Sequence, residues 1–97
     1  MRIDAATIER LEDVAYDIRR LSIEMITWGC WGHVGGALSA ADVLACLYFH
    51  AMRLDPERPD WSGRDRFILS KAHASPALYA ALALRGFYPV DELYSYC

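Results

Sequence analysis

The sequence predicts an α/β fold that is rich in helix and contains one short parallel strand. Two observations predict this fold. Apolar residues recur at helical spacing from residue 8 to residue 26, and a short apolar run at residues 67–69 stands between a loop and a later helical stretch. A run of that length in that position is typical of a buried strand in a parallel sheet, where each strand leads into a helix.

The N-terminal stretch is predicted to be an amphipathic helix with one face in the core. Its apolar positions are three or four residues apart, and the positions between them are mostly charged or small. The apolar positions are Ile8, Leu11, Val14, Ala15, Ile18, Leu21, Met25 and Ile26. We expect these residues to pack inward.

A glycine-rich turn, which includes His33 and Gly36, comes directly before the second predicted helix. Glycines keep side chains away from the backbone, so that a small ligand can approach it. Ser39 and Asp42 have the spacing of a capping box, which places the helix at residues 40–52. Apolar residues cover nearly every side of that stretch, so we expect the helix to be buried.

The remaining elements follow from turn and capping residues. A loop over residues 54–63 contains two prolines, aspartate and glycine, and it precedes the predicted strand at residues 66–69. Ser75 is expected to cap a helix over residues 76–85, and a last helical turn follows Pro89. Pro76 suits the first turn of the capped helix, and Gly86 suits its end.

Composition favours one partial domain of a larger protein. The chain spans residues 1–97 without an internal linker, and 55% of its residues are hydrophobic. A single strand cannot form a sheet, so we expect the other strands, and a cover for part of the apolar surface, to come from elsewhere. The three cysteines are too few for a disulfide framework, so we expect free thiols and a cytoplasmic protein.

Charge and hydropathy argue against two classes of partner. The net charge is −3, and acidic and basic residues are interspersed, which gives no basic patch for nucleic acid. The N-terminus has neither an apolar signal core nor a membrane span of about 20 apolar residues. We therefore expect neither nucleic acid nor a membrane as a partner.

Two histidines stand at turns that lead into helices. His33 lies in the glycine turn, and His73 follows the predicted strand, at the edge where open α/β sheets bind their ligands. Imidazole has an unperturbed pKa of about 6.5, which suits proton transfer near neutral pH. The alternatives are that His33 only bonds to the backbone of its own turn and that His73 is a satisfied histidine at a strand end.

Five motifs in a fixed order resemble the N-terminal, pyrophosphate-binding part of the transketolase family. They cover the chain from about Ile18 to about Leu93. They are Trp31-Gly32-His33-Val34-Gly35, Leu38 to Asp42, Asp55-Pro56-Glu57-Arg58-Pro59-Asp60-Trp61, Arg64 to Ser70, and Ala72-His73-Ala74-Ser75. The resemblance is strongest to family members that are split into two shorter subunits.

The resemblance implies a thiamine diphosphate enzyme that transfers two-carbon ketol units between sugar phosphates. It implies that His33 contacts the sugar and assists proton transfer, and that His73 and Gly36 lie near the cofactor diphosphate. Mg²⁺ would accompany the cofactor, with its ligands outside this chain, because the family's Gly-Asp-Gly motif is absent here. The implied partners are sugar phosphates, a C-terminal subunit or missing domain, and further copies in a homo- or hetero-oligomer.

Three positions depart from the family pattern and keep other functions open. Trp31 replaces a small residue, Val34 replaces proline, and Ala72 replaces glycine. The alternatives are a catalytically inactive, helix-rich interaction module and a related thiamine diphosphate enzyme that uses another keto donor. His50 has no motif around it, so we assign it no site.

Two further groups have structural interpretations. Cys30 and His33 have a spacing found in metal sites, but no second pair matches them, so we do not predict a metal site. Arg64, Asp65 and Arg66 could bind phosphate, but ion pairs that fix the loop are the better interpretation.

Overall fold

The computed structural model describes residues 4–29, 34–70 and 74–95, and within them the chain is helical. Helix α1 covers Ala5–Gly29, α2 covers Val34–Cys46, and a π-helix continues α2 over Leu47–Ala51. After a long irregular stretch, α3 covers Ser75–Arg85, and a 3₁₀ helix covers Val90–Ser95. Helix α1 packs against both α2 and α3, so the core lies between these three helices.

Helix α1 confirms the predicted amphipathic pattern. Asp4 caps it, because the Asp4 carboxylate accepts a hydrogen bond of 2.7 Å from the Thr7 backbone N–H. The buried positions on its inner face are Leu11, Ala15, Ile18, Leu21 and Met25. Ile8 is 46% exposed, so the prediction that it packs inward is wrong.

The predicted start of α2 is wrong. The helix begins at Val34, and Ser39 lies inside it, where its hydroxyl donates to the Gly36 carbonyl at 3.0 Å. Asp42 does not complete a capping box, because its carboxylate accepts a hydrogen bond of 2.6 Å from Arg19 of α1. Ser39 therefore bonds within its own helix, and Asp42 bonds to a neighbouring helix.

Only one side of the second helical stretch is buried. Ala37, Ala41 and Leu44 are at most 1% exposed, whereas Val43 is 57% exposed. The expectation that this helix is buried all round is therefore wrong for the described chain. The free thiol of Cys46 is also exposed, while Cys30 and Cys97 lie outside the described residues.

The predicted strand at residues 66–69 is not formed in the described part of the chain. Residues 65–70 have no regular secondary structure, and no backbone hydrogen bond joins residues 66–70 to other described residues. The physical reason is that a strand requires a neighbouring strand, and the described chain offers none. Ile68 is accordingly 87% exposed, although Phe67 is half-buried.

Helix α3 ends where the sequence predicts. Gly86 adopts a left-handed φ of 107°, and its N–H donates to the carbonyls of Leu82 and Ala83. Its predicted cap is wrong, because Ser75 is the first helical residue and Ala74 precedes it without a side-chain hydrogen bond.

Three other local predictions are confirmed. Pro76 lies in the first turn of α3, and residues 54–63 form turns without a helix or a strand. The helical turn expected after Pro89 is the 3₁₀ helix, in which Leu93 is only 5% exposed.

We predict that Gly86→Ala lowers the free energy of unfolding by about 1 kcal/mol, because an L-residue is strained at a positive φ. The nearest atoms to an added Cβ belong to Pro56 at 3.7 Å, so the loss reflects backbone strain and not a clash. Urea denaturation measures it. Gly35→Ala is the matched control, since a Cβ there meets nothing within 4 Å, and it should be neutral or slightly stabilising. Equal losses in both variants would contradict the interpretation.

We predict a loss of stability above about pH 10 that depends on Tyr88. Burial, followed by the nearby Tyr79 and Glu92, raises the pKa of the Tyr88 phenol to about 12. The unfolded value is about 10, so this stabilisation is complete below pH 10 and is lost as the pH rises through 12. Tyr88→Phe should flatten the decrease in urea-denaturation stability over that range, whereas exposed Tyr16→Phe should leave it unchanged.

Candidate functional site

The structure describes one of the three predicted site residues. Gly36 is half-buried and is the third residue of α2. His33 lies immediately before α2, and His73 lies shortly before α3; both are outside the described residues. The roles predicted for all three residues therefore stay predictions, and the described geometry concerns the elements that lead to them.

The start of α2 is a suitable place for an anionic group. The first turn of a helix presents backbone N–H groups that have no partner within the helix, together with partial positive charge. Gly35 is exposed, and a side chain built on it would meet no atom within 4 Å. The space immediately around Gly35 is therefore open among the described residues.

The π-helix at Leu47–Ala51 contacts the other elements around the site. It closes with a 2.8 Å hydrogen bond from the Met52 N–H to the Leu47 carbonyl. The Tyr48 carbonyl accepts a 2.9 Å hydrogen bond from the Arg85 guanidinium, which ties the end of α3 to this turn. The Tyr48 ring packs edge-on against Phe67, with 6.0 Å between ring centroids, and burial raises the pKa of its phenol.

The loop over residues 53–65 is closed at its base by two residues. The Asp65 carboxylate accepts hydrogen bonds from the Arg53 backbone N–H at 2.7 Å and from the Arg53 guanidinium at 3.1 Å. In return, the Asp65 N–H donates to the Arg53 carbonyl at 2.9 Å. The side-chain and backbone hydrogen bonds from Arg53 lower the pKa of Asp65, and the side-chain bond raises the pKa of Arg53.

The loop is folded on itself between these ends. Arg64 donates a 2.7 Å hydrogen bond to the Trp61 carbonyl, and the Arg58 guanidinium lies 5.8 Å from the Trp61 ring. The interpretation that Arg64, Asp65 and Arg66 form ion pairs that fix the loop is therefore confirmed for Asp65 alone, whose partner is Arg53. Arg64 bonds to a backbone carbonyl instead, and neither arginine forms an ion pair with another described residue.

An apolar groove of about 430 Å³ lies beside the irregular segment at residues 66–70. Its lining is mostly apolar and aromatic, and the charged residues Arg64, Asp65 and Arg66 also line it. Its apolar lining includes Tyr48, Met52, Leu54, Phe67 and Leu82. The groove is thus a surface on which further protein can pack.

Two classes of site find no support among the described residues. Within the described ranges, no three His, Cys, Asp or Glu side chains are grouped so that they could hold a metal ion. No described helix combines the length and hydrophobicity that a membrane span requires.

Sequence reasoning missed the π-helix and the Arg53–Asp65 contact. Opposite charges at both ends of a proline- and glycine-containing loop were a usable signal for the contact. The residues at 47–51 give no signal that distinguishes a π-helix from an α-helix.

Comparison with known proteins matches this chain to one family. The family model of the transketolase thiamine diphosphate binding domain matches residues 11–97. The 6-deoxy-6-sulfo-D-fructose transketolase subunit SqwG of Clostridium sp. (strain MSTE9) is 53% identical over 83 residues, which is 86% of this chain and 30% of that protein. Mus musculus transketolase is 44% identical over 93 residues, or 93% of this chain and 14% of the enzyme.

A protein from a third organism shows the same relation. An apulose-4-phosphate transketolase subunit of Phocaeicola vulgatus is 41% identical over 80 residues, which is 82% of this chain and 28% of that protein. The chain therefore spans at most 30% of the length of these three relatives.

We predict that Phe67 and Ile68 differ in their effect on the stability of the chain. Phe67→Ala removes the contact with Tyr48 and should lower the free energy of unfolding by about 1–2 kcal/mol. Ile68→Ala is the matched control, because Ile68 is 87% exposed, and it should change that energy by less than about 0.5 kcal/mol. Urea denaturation measures both; a larger loss for Ile68→Ala would contradict the described packing.

Proposed function

This chain belongs to the transketolase family through its thiamine diphosphate-binding domain, and we propose that it works in an enzyme that transfers two-carbon ketol units between sugar phosphates. The observation that carries the proposal is the family match over residues 11–97, together with 53% identity to a subunit of a transketolase. Two relatives are named for different ketoses, 6-deoxy-6-sulfo-D-fructose and apulose-4-phosphate. The donor sugar is therefore the most variable part of the proposal, and another keto donor is the second candidate.

The cofactor in this proposal is thiamine diphosphate, which supplies a carbon nucleophile when it is bound. The described residues suit its diphosphate, because Gly35 and Gly36 follow Val34 in the first turn of α2 and no atom lies within 4 Å of a Cβ built on Gly35. We assign Gly36 and His73 to binding the diphosphate. Mg²⁺ would neutralise that group, and its ligands would lie in the rest of the protein.

We assign His33 to the sugar substrate. An imidazole near neutral pH can donate a hydrogen bond to a sugar oxygen and can also accept or return a hydroxyl proton. His33 comes one residue before α2, so it stands in sequence beside Gly36 and the first turn of that helix. Residues at the start of the same helix would then bind both the sugar and the diphosphate.

The proposed enzyme is an assembly in the cytoplasm. The segment at residues 66–70 lacks backbone partners among the described residues, and the groove of about 430 Å³ beside it is apolar. Strands from the remaining part of the domain or from a C-terminal subunit would pair with that segment and cover the groove. Further copies would complete a homo- or hetero-oligomer, as the subunit names of two relatives suggest.

We predict that alanine at the two histidines impairs different steps in the completed assembly. His33→Ala should lower kcat for ketol transfer roughly 10²-fold and leave cofactor affinity nearly unchanged, because it removes an acid–base group. His73→Ala should instead weaken thiamine diphosphate binding by about 1–3 kcal/mol, the usual effect of losing a hydrogen bond to a charged group. Steady-state kinetics with several ketose phosphates measure kcat, and titration with thiamine diphosphate measures cofactor affinity. Together they distinguish the two outcomes.

His50→Ala is the control for these variants, because His50 is exposed on the π-helix and has no assigned role.

Trp31→Ser restores the small residue of the family and should raise activity or admit larger sugars if the indole narrows the pocket. If the wild-type assembly shows no turnover and cofactor binding is unchanged in all variants, the proposed enzyme function is wrong. The chain would then be an inactive interaction module.

A further inference from the structure

The outer side of α1 exposes large apolar side chains beside a groove. Tyr16 is 65% exposed and Ile23 is 45% exposed. The groove has a volume of about 530 Å³, and its lining includes Tyr16, Arg20 and Ile23 of α1 and Leu38 of α2. Exposed apolar side chains that are grouped on one side of a helix mark a surface on which another protein can pack.

Five exposed residues of α1 lie on one face of the helix, because they are three or four positions apart. We call this face the α1 stripe; it consists of Glu9, Glu12, Tyr16, Arg20 and Ile23. Glu12 precedes Tyr16 by four positions and Arg20 follows it by four, whereas Glu9 and Ile23 are each seven positions away. Tyr16 is therefore the midpoint of the stripe, with a negative charge one turn before it and a positive charge one turn after it.

The α1 stripe is complementary in charge to a second copy of itself. When two stripes lie antiparallel with their Tyr16 residues at the two-fold axis, Glu12 of each copy faces Arg20 of the other. Asp13, which is also exposed, adds a second acidic residue on the side that faces Arg20. A two-fold contact between identical chains requires this kind of self-complementarity.

Other arrangements of the same stripe lose the complementarity. Parallel copies in register place Glu12 opposite Glu12 and Arg20 opposite Arg20. An antiparallel copy that is centred on Arg20 brings the two arginines together and places Tyr16 opposite Glu24. Like charges that face each other disfavour both arrangements, so the charges select one orientation and one register.

The charged residues of the stripe are available to a second copy. Within the described ranges, Glu12 and Asp13 form no ion pair. Arg20 has ion pairs within its own helix, at 3.1 Å to Glu24 and 3.8 Å to Asp17, and its side chain is 45% exposed. Exposed pairs of this kind contribute little, so Arg20 can bond to a carboxylate of the second copy at small cost.

We propose that two copies of this protein associate through the α1 stripe, antiparallel and with Tyr16 at the two-fold axis. The groove beside Tyr16 leaves room for the Tyr16 ring of the second copy, and Ile23 packs on the aliphatic part of Glu9 of the second copy. One helix face is smaller than a standard interface of roughly 1,600 Å², so the contact alone is weak and sensitive to salt. This inference goes beyond the proposed function, and it rests on α1 and not on the cofactor or the sugar.

Disulfide cross-linking tests the orientation and the register in the full protein, with its native cysteines replaced by serine. We expect Tyr16→Cys to cross-link to its own copy under mild oxidation, because Cα atoms beside the two-fold axis come within about 7 Å of each other. Glu9→Cys is the matched control on the same stripe. Its two copies would be about 20 Å apart, so it should not cross-link to itself, but it should cross-link when it is mixed with Ile23→Cys.

Sedimentation equilibrium of variants without introduced cysteines tests the charge complementarity. Arg20→Glu places acidic residues opposite each other twice in each dimer, so we expect the Kd for self-association to rise roughly tenfold. Glu12→Arg combined with Arg20→Glu exchanges the two charges and should recover most of the affinity. Arg58→Glu is the matched control, because it makes the same change in net charge at an exposed residue outside α1, and it should leave the Kd unchanged.

The proposal is overturned if Tyr16→Cys does not cross-link to its own copy, if Glu9→Cys alone cross-links as readily, or if Arg20→Glu and Arg58→Glu have the same effect. A cross-link from Tyr16→Cys to a different subunit also overturns it, because the α1 stripe then contacts another protein. Failure of the proposed function is a separate result, since it appears as a lack of turnover, whereas the cross-linking pattern does not depend on turnover.

Discussion

The π-helix at Leu47–Ala51 is the element on which the arrangement of the described chain depends. The last carbonyls of any helix lack partners within that helix, and here the Tyr48 carbonyl receives the Arg85 guanidinium from the end of α3. The Tyr48 ring holds Phe67 on another side. One turn therefore fixes the end of α3 and the irregular segment relative to α2. Such turns are rare in proteins, and a large share of them occurs near functional sites.

The parts of the fold that could be predicted from sequence are those that local chemistry decides. The inward face of α1 follows from spacing alone, and Gly86 ends α3 because few other residues adopt its φ of 107°. The Ser75 cap failed because α3 begins one residue earlier than predicted, at Ser75 itself, whereas the capping box failed because of a tertiary contact. The spacing of Asp42 predicts a cap on its own helix, but Arg19 of a neighbouring helix binds it. For the site, every assignment comes from sequence and resemblance, and the described residues add the start of α2 and the Arg53–Asp65 pair.

The segment at residues 66–70 shows why a strand prediction can have a sound physical basis and still fail for one chain. Its apolar run has the composition of a strand, but strand geometry is stabilised by hydrogen bonds to a neighbour. Without a neighbour, Ile68 stays 87% exposed and the groove beside the segment stays open. The relatives are at least three times longer than the region they share with this chain.

The Arg53–Asp65 pair closes the base of the loop over residues 53–65. Among the described residues, the segment at residues 66–70 has few contacts of its own, and the Arg53–Asp65 pair joins its start to the end of the helical stretch that begins with α2. Closing a loop costs conformational entropy that rises only slowly with its length, so a few hydrogen bonds at the base suffice to hold it. Exposed charges alone would hold it poorly, and salt would weaken them further. The backbone hydrogen bonds on both sides of the pair are less sensitive to salt, and they therefore provide the more dependable part of its geometry.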